Sequence, residues 1–159
     1  MRIYIPAANS DLSAPSLTPR IVHGVTRELE REFGDDEPEV FEAVAMNAAA
    51  DDSVRLLAAK ISKGIACASR RCVVVSVVPD ADLAVPSTDE LPTARLLKQA
   101  VAWDRVESIH VDDEELESEV RRAAMGDDEA FEIVADEDLM WYDVAERTAL
   151  SVALAARDI

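Results

Sequence analysis

Glycine is scarce in this chain: four residues (Gly24, Gly34, Gly64, Gly126), none close to another. Neither GxGxxG nor GxxxxGK[ST] can be built from them, so nucleotide binding through a glycine-rich phosphate loop is excluded, though binding by another geometry is not. A GxSxG elbow, an HExxH helix and a DxDxDG calcium loop are also missing. The two cysteines, Cys67 and Cys72, lack CxxC spacing and further partners, which removes any zinc or redox motif. Cys72 opens an apolar strand and reads as a small buried hydrophobe. With two histidines in the chain, a Ser-His-Asp or Cys-His centre would have to recruit His23 or His110. Aromatics are few, two Trp, two Tyr and three Phe, so the core must be built from Ala, Val, Leu and Ile.

Basic residues are also under-represented, 16 against 33 acidic, for a formal charge of −17. Phosphate-backbone binding depends on Lys and Arg neutralising phosphates, so this balance disfavours direct nucleic-acid or anionic-membrane contact. An acidic surface attracts basic partners instead; mimicry of nucleic acid would need carboxylates spaced along one face. The apolar share of 49% argues for a folded chain, and 159 residues are read as a single α/β domain spanning 1–159. No run approaches the roughly 20 apolar residues that span a bilayer. The start, M-R-I-Y-I-P, reaches proline before a signal-peptide apolar region could form, so a cytoplasmic protein is expected.

Arg2–Pro6 alternates as a strand, followed by a Ser/Pro/Asn-rich loop. Ile21–Val25 reads as a brief extended piece, and Thr26 as the cap of a short helix. After the Gly34–Glu37 break, Pro38 opens a helix running to about Ser62, with Phe41, Ala45, Ala48, Ala49, Leu56 and Leu57 recurring at steps of three and four. Its seam is mostly alanine, which admits a close neighbour; Asp51 and Asp52 leave a break there open. Cys72–Val78 is the clearest strand, apolar on both faces and so central in a sheet. Ala81–Pro92 is an irregular connection, and Thr93–Val101 reads as a short helix running into a strand. Val106–Val111 is a strand, followed by a helix to about Met125 capped by Asp112 or Asp113 and stopped by Gly126. Phe131–Val134 and Leu139–Tyr142 look like strands. Asp143 and Glu146 form a capping-box start for a final helix. This order predicts an α+β, single-domain, two-layer α/β sandwich of the ferredoxin-like split β-α-β arrangement, with a three-layer α/β sheet as the rival.

The segment V-E-S-I-H-V-D-D carries the candidate chemistry. His110 and Asp112 share one strand face and Asp113 lies where the chain turns, so imidazole and carboxylates there could hold a metal or act as a base. Helix capping accounts for at least one of these aspartates without any function. Trp141 and Tyr142 follow the acidic cluster Asp136, Glu137 and Asp138; such a pair could contact a basic or planar ligand, or pack its rings on the core. His23, beside Gly24, reads as a structural histidine, since nothing local completes a site.

M-R-I-Y-I-P, V-V-V-S-V-V-P-D, V-E-S-I-H-V-D-D and D-L-M-W-Y-D-V-A-E occur in this order along nearly the whole chain. The set resembles an uncharacterised family of small acidic actinobacterial proteins with an M-R-[VI]-Y-[LVI]-P start and H-V-D-D and L-x-W-Y segments. This chain departs from that pattern in placing Asp138, and no histidine, ahead of Leu139. The resemblance implies an intracellular bacterial protein and supplies no activity, cofactor or partner.

Two functions follow from these residues. The first is a non-enzymatic acidic interaction or regulatory protein that binds another protein, needing no cofactor. The alternative is a small metal-binding or hydrolytic enzyme centred on His110, Asp112 and Asp113. Exposed sheet edges and an alanine-rich final helix leave room for a homodimer.

Overall fold

In the computed structural model, which describes every residue except Asp36, Thr88 and Asp89, strand β1 (Arg2–Ala7) sits in the middle of a seven-stranded sheet. Those three residues fall in the Gly34–Glu37 break and the Ala81–Pro92 connection, so that part of each reading lies outside the described residues. The further strands are β2 (Ser16–Leu17), β3 (Ile21–Gly24), β4 (Cys72–Val77), β5 (Leu83–Ala84), β6 (Ala94–Leu97), β7 (Val101–Ala102), β8 (Val106–Val111) and β9 (Met140–Tyr142). The helices are α1 (Arg27–Phe33), α2 (Pro38–Ser62), α3 (Glu117–Ala124), α4 (Asp128–Ala135) and α5 (Arg147–Ala155). The large sheet runs β5-β6-β3-β1-β4-β8-β9, each described pairing antiparallel, and β2 pairs with β7 apart from it.

The fold is α+β, a two-layer sandwich of sheet and helices. Its strand order contains the expected split β-α-β unit: β3 and β4, which precede and follow α1 and α2 in the chain, both pair antiparallel with β1, which lies between them. β4 is central, as its apolar run on both faces required.

Alternation along the strands assigns the two faces. Tyr4, Val73 and Val75 point toward α2 and pack with Ala45, Ala49 and Ala50. Small side chains on α2 let helix and sheet approach closely, and α2 runs unbroken through Asp51 and Asp52. Ser53 in that helix is a buried tie: its hydroxyl donates to the Ala7 carbonyl at 2.7 Å and accepts from Cys72 N at 2.9 Å, satisfying the ends of β1 and β4. On the opposite face Ile3, Ile5, Val74 and Ile109 meet Leu12, Leu17, Trp103, Leu150 and Leu154, so α5 and the β2–β7 ribbon close that side. A third cluster joins Val54 and Leu57 to Val120, Ala123, Ala130 and Val134 of α3 and α4.

Two elements differ from the sequence expectation. Phe131–Val134 lies in helix α4 and is not a strand. Gly126, at φ 98°, turns the chain out of α3, and the Asp127 carboxylate then caps α4 by accepting from Ala130 N at 3.1 Å. Ala130 and Val134, four apart, form its buried face, a period that a short apolar run does not distinguish from a strand. Ala94–Leu97 is strand β6, where a helix was expected, because pairing with β3 and β5 gives its backbone partners on both sides. The Asp143–Glu146 capping box forms as expected: Asp143 accepts from Ala145 N and Glu146 from Asp143 N, each at 2.8 Å.

Candidate functional sites

The residues picked out around His110 are placed by β8 but do not converge. His110 and Asp112 follow the strand's alternation, yet Asp112 is fully buried and its carboxylate is taken by Arg71, itself 2% exposed. Arg71 donates from Nε to Oδ2 at 2.8 Å and from Nη2 to Oδ1 at 2.7 Å, and its backbone N–H reaches Oδ2 at 2.9 Å. The same Nη2 donates to the Glu137 carbonyl at 3.0 Å, so this pair also holds the chain entering β9. Asp113 caps the turn Glu114–Leu116, accepting from Glu115 N at 2.9 Å. Among the described residues, no group of three or more His, Cys, Asp or Glu side chains is arranged to hold a metal ion.

His110 faces elsewhere. Its Nε2 lies 2.9 Å from the Ser108 hydroxyl, and the partly buried ring borders a recess of about 370 Å³ with Tyr4, Glu107 and Trp141. Trp141 sits directly across the β8–β9 ladder from His110, while Tyr142 sits across from Ile109 and packs into the opposite core. The two aromatics therefore belong to opposite faces of β9, and only Trp141 shares a recess with His110.

A cavity of about 700 Å³ lies on the α2 side of β3 and was not indicated by any local motif. His23, 1% exposed, pairs with Tyr4 in the sheet and so faces α2. Its Nε2 lies 2.6 Å from Asp52 Oδ2 and its Nδ1 2.7 Å from the Thr93 hydroxyl. Burial pushes the Asp52 carboxyl up, but hydrogen bonds from His23 and Arg55 outweigh it and hold the group below its ordinary range. With that carboxylate ionised, Nε2 carries the hydrogen, and in the neutral ring Nδ1 accepts from Thr93. Arg55 closes the chain, donating from Nη1 to Asp52 Oδ1 at 2.7 Å. The structural reading of His23 thus gains two specific partners, 29 and 70 residues away. One signal was available: Asp52 stands on the stripe that carries Phe41, Ala45, Ala48, Ala49 and Leu56, and a carboxylate on a buried helix stripe demands a partner.

A family model described as a family of unknown function (DUF6912) matches residues 1–150. The chain belongs to this family. No curated protein and no solved structure matches it. Among the described residues of this DUF6912 protein, no helix is long and apolar enough to cross a membrane.

The recess of the DUF6912 protein has a testable titration. Burial pushes the His110 imidazole below its ordinary value. The unfolded chain therefore takes up this proton first as pH falls through about 6.5, while the folded protein does not. Stability from this group is complete above that pH and is lost between it and the lowered folded value. Urea midpoints of wild type and His110→Gln should diverge below about pH 6.5, the variant being flatter; parallel curves would show that the ring is not desolvated.

Proposed function

We propose that this DUF6912 protein is a non-enzymatic interaction protein that binds an extended, basic segment of another protein along β9. The observation that carries the reading is Trp141: its side chain is 61% exposed on the last strand of the sheet, above the His110 recess. Among the described residues β9 pairs on one side, with β8, and its outer edge is available for strand addition. Met140 beside it is also exposed. Asp136, Glu137, Asp138, Asp143 and Glu146 surround the strand and are exposed, so the edge is apolar at its centre and acidic at its rim. Lysine or arginine side chains of a partner would stack on the indole and meet the acidic rim, whereas a second copy would bring another chain of charge −17 against the same rim. No observation favours the alternative centre on His110, Asp112 and Asp113, since Arg71 occupies the Asp112 carboxylate and Asp113 caps a turn.

Selection from a randomised peptide library, followed by titration of the selected peptides, tests this. The expected peptides alternate β-branched with Lys or Arg residues, bind more weakly as salt rises, and lose roughly 30-fold in affinity to Trp141→Ala, the cost of removing a central aromatic anchor. Selection of acidic or neutral peptides, or unchanged affinity in the variant, would overturn the reading. Dimerisation that Trp141→Ala abolishes would reassign the edge to self-association.

A further inference from the structure

From the donors and acceptors that line the 700 Å³ cavity, we infer that it is a binding site for a small zwitterion of the α-amino-acid class with an apolar side chain. Its volume falls within the roughly 300–1,000 Å³ range of small-ligand sites. Of the polar groups on its wall, Glu90 is already engaged, and the others differ in what they have left to offer. Arg20 has spent all its N–H groups: Nε donates to the Thr18 carbonyl, Nη1 to the Pro6 carbonyl and Asp11, and Nη2 to Asp11 and the Thr18 hydroxyl. It is a wall and offers nothing to an anion. His23 is likewise engaged at both ring nitrogens and sealed from solvent.

Asp52 and Arg55 are different. The Asp52 side chain is 25% exposed, and each of its oxygens has accepted one hydrogen bond, leaving further lone pairs toward the cavity. His23 and Thr93 fix its orientation from behind, the arrangement that holds a charged group ready for a ligand. Arg55, 62% exposed, gives one N–H to Asp52 and lays its guanidinium 5.8 Å from the centre of the Phe131 ring, and its five N–H groups exceed what the Asp52 bond uses. The two heads touch at 2.7 Å, so the ligand must present a cationic donor and an anionic acceptor on neighbouring atoms. An α-amino acid carries its ammonium and carboxylate on one carbon and meets that demand. Beside this pair, Ile21, Leu56 and Leu91 form an apolar wall that favours an aliphatic side chain over a polar one. Two fixed charges of opposite sign also discriminate: a plain amine leaves Arg55 without its acceptor, and a plain acid leaves Asp52 without its donor.

Calorimetric titration of the whole protein with leucine, 3-methylbutylamine (leucine without its carboxylate) and 4-methylpentanoate (leucine without its ammonium) separates these contributions. Leucine is expected to bind at least about 10-fold more tightly than either fragment. Arg55→Gln, at an exposed position, should reduce leucine to the affinity of the amine, and Asp52→Asn should reduce it to that of the acid. Leu56→Trp, which fills the cavity, should abolish binding of all three. The inference is overturned if wild-type protein takes up no leucine, isoleucine, valine or methionine up to about 10 mM. A fragment binding as tightly as leucine, or binding that survives both Arg55→Gln and Leu56→Trp, would overturn it equally. Trp141→Ala should leave leucine affinity unchanged, which separates this site from the β9 edge.

Discussion

Asp112→Ala is expected to destabilise the protein by roughly 3–5 kcal/mol, because it leaves the Arg71 guanidinium buried and uncompensated. The pair extends the β4–β8 ladder by one rung: Cys72 pairs with Val111, and Arg71 and Asp112 are the next residues out. Arg71 holds the carboxylate through Nε, Nη2 and its own backbone N–H, the two side chains being 2% and 0% exposed. Two charges taken from water are tolerable only with that geometry, so losing one partner costs far more than exchanging both. For a domain of this size the expected loss in Tm is roughly 10 °C. Arg71→Met combined with Asp112→Leu should recover most of the stability, and the difference between the double variant and the single ones gives the coupling. The Arg71 bond to the Glu137 carbonyl adds a second readout: amide exchange in β9 should quicken in Arg71→Met even where global stability is restored. A single-variant loss under about 1 kcal/mol would mean that the pair is hydrated and does not tie β9 to the sheet.

Removing His23 should be nearly as damaging. His23→Ala opens a void at a site 1% exposed, strips the Asp52 carboxylate of a buried donor and leaves the Thr93 hydroxyl without its acceptor. The expected cost is about 2–4 kcal/mol, combining the lost volume with a hydrogen bond to a charged group. Thr93→Val, which keeps shape and removes the hydroxyl, should cost only about 1 kcal/mol. Because that carboxylate lies below its ordinary range when folded, its contribution is present above about pH 4 and fades as pH falls toward the folded value. Urea denaturation at pH 7 and again near pH 3 checks both statements: the penalty of Asp52→Asn should shrink at the lower pH. A His23→Ala variant as stable as wild type would show that the Thr93–His23–Asp52 chain does not hold β3 to α2.

Much of the secondary structure could be read from local pattern, because capping, turn glycines and apolar period act over a few residues. Thr26 caps α1, and Pro38 opens a helix that ends at Ser62. Where the pattern was ambiguous it failed for that same reason: Phe131–Val134 and Ala94–Leu97 are short, mostly apolar runs whose state was decided by the neighbours they met. The sites divide along the same line. Asp113 is a cap because the turn begins at the next residue. Asp112, one position earlier, is committed to an arginine whose side chain only the β4–β8 register brings alongside.

By itself the sequence determined that this chain folds as α+β, with a formal charge of −17 and without a glycine-rich phosphate loop. Those conclusions follow from composition and from interactions along the chain. Tertiary structure alone decided that His23 meets Asp52 and Thr93, that Arg71 claims Asp112, and that Trp141 and Tyr142 part to opposite faces of β9. The physical reason is common to all three. Hydrogen bonds and ion pairs reach only a few ångströms, so which groups form them depends on strand register and on α2 crossing the sheet, and no run of neighbouring residues records either.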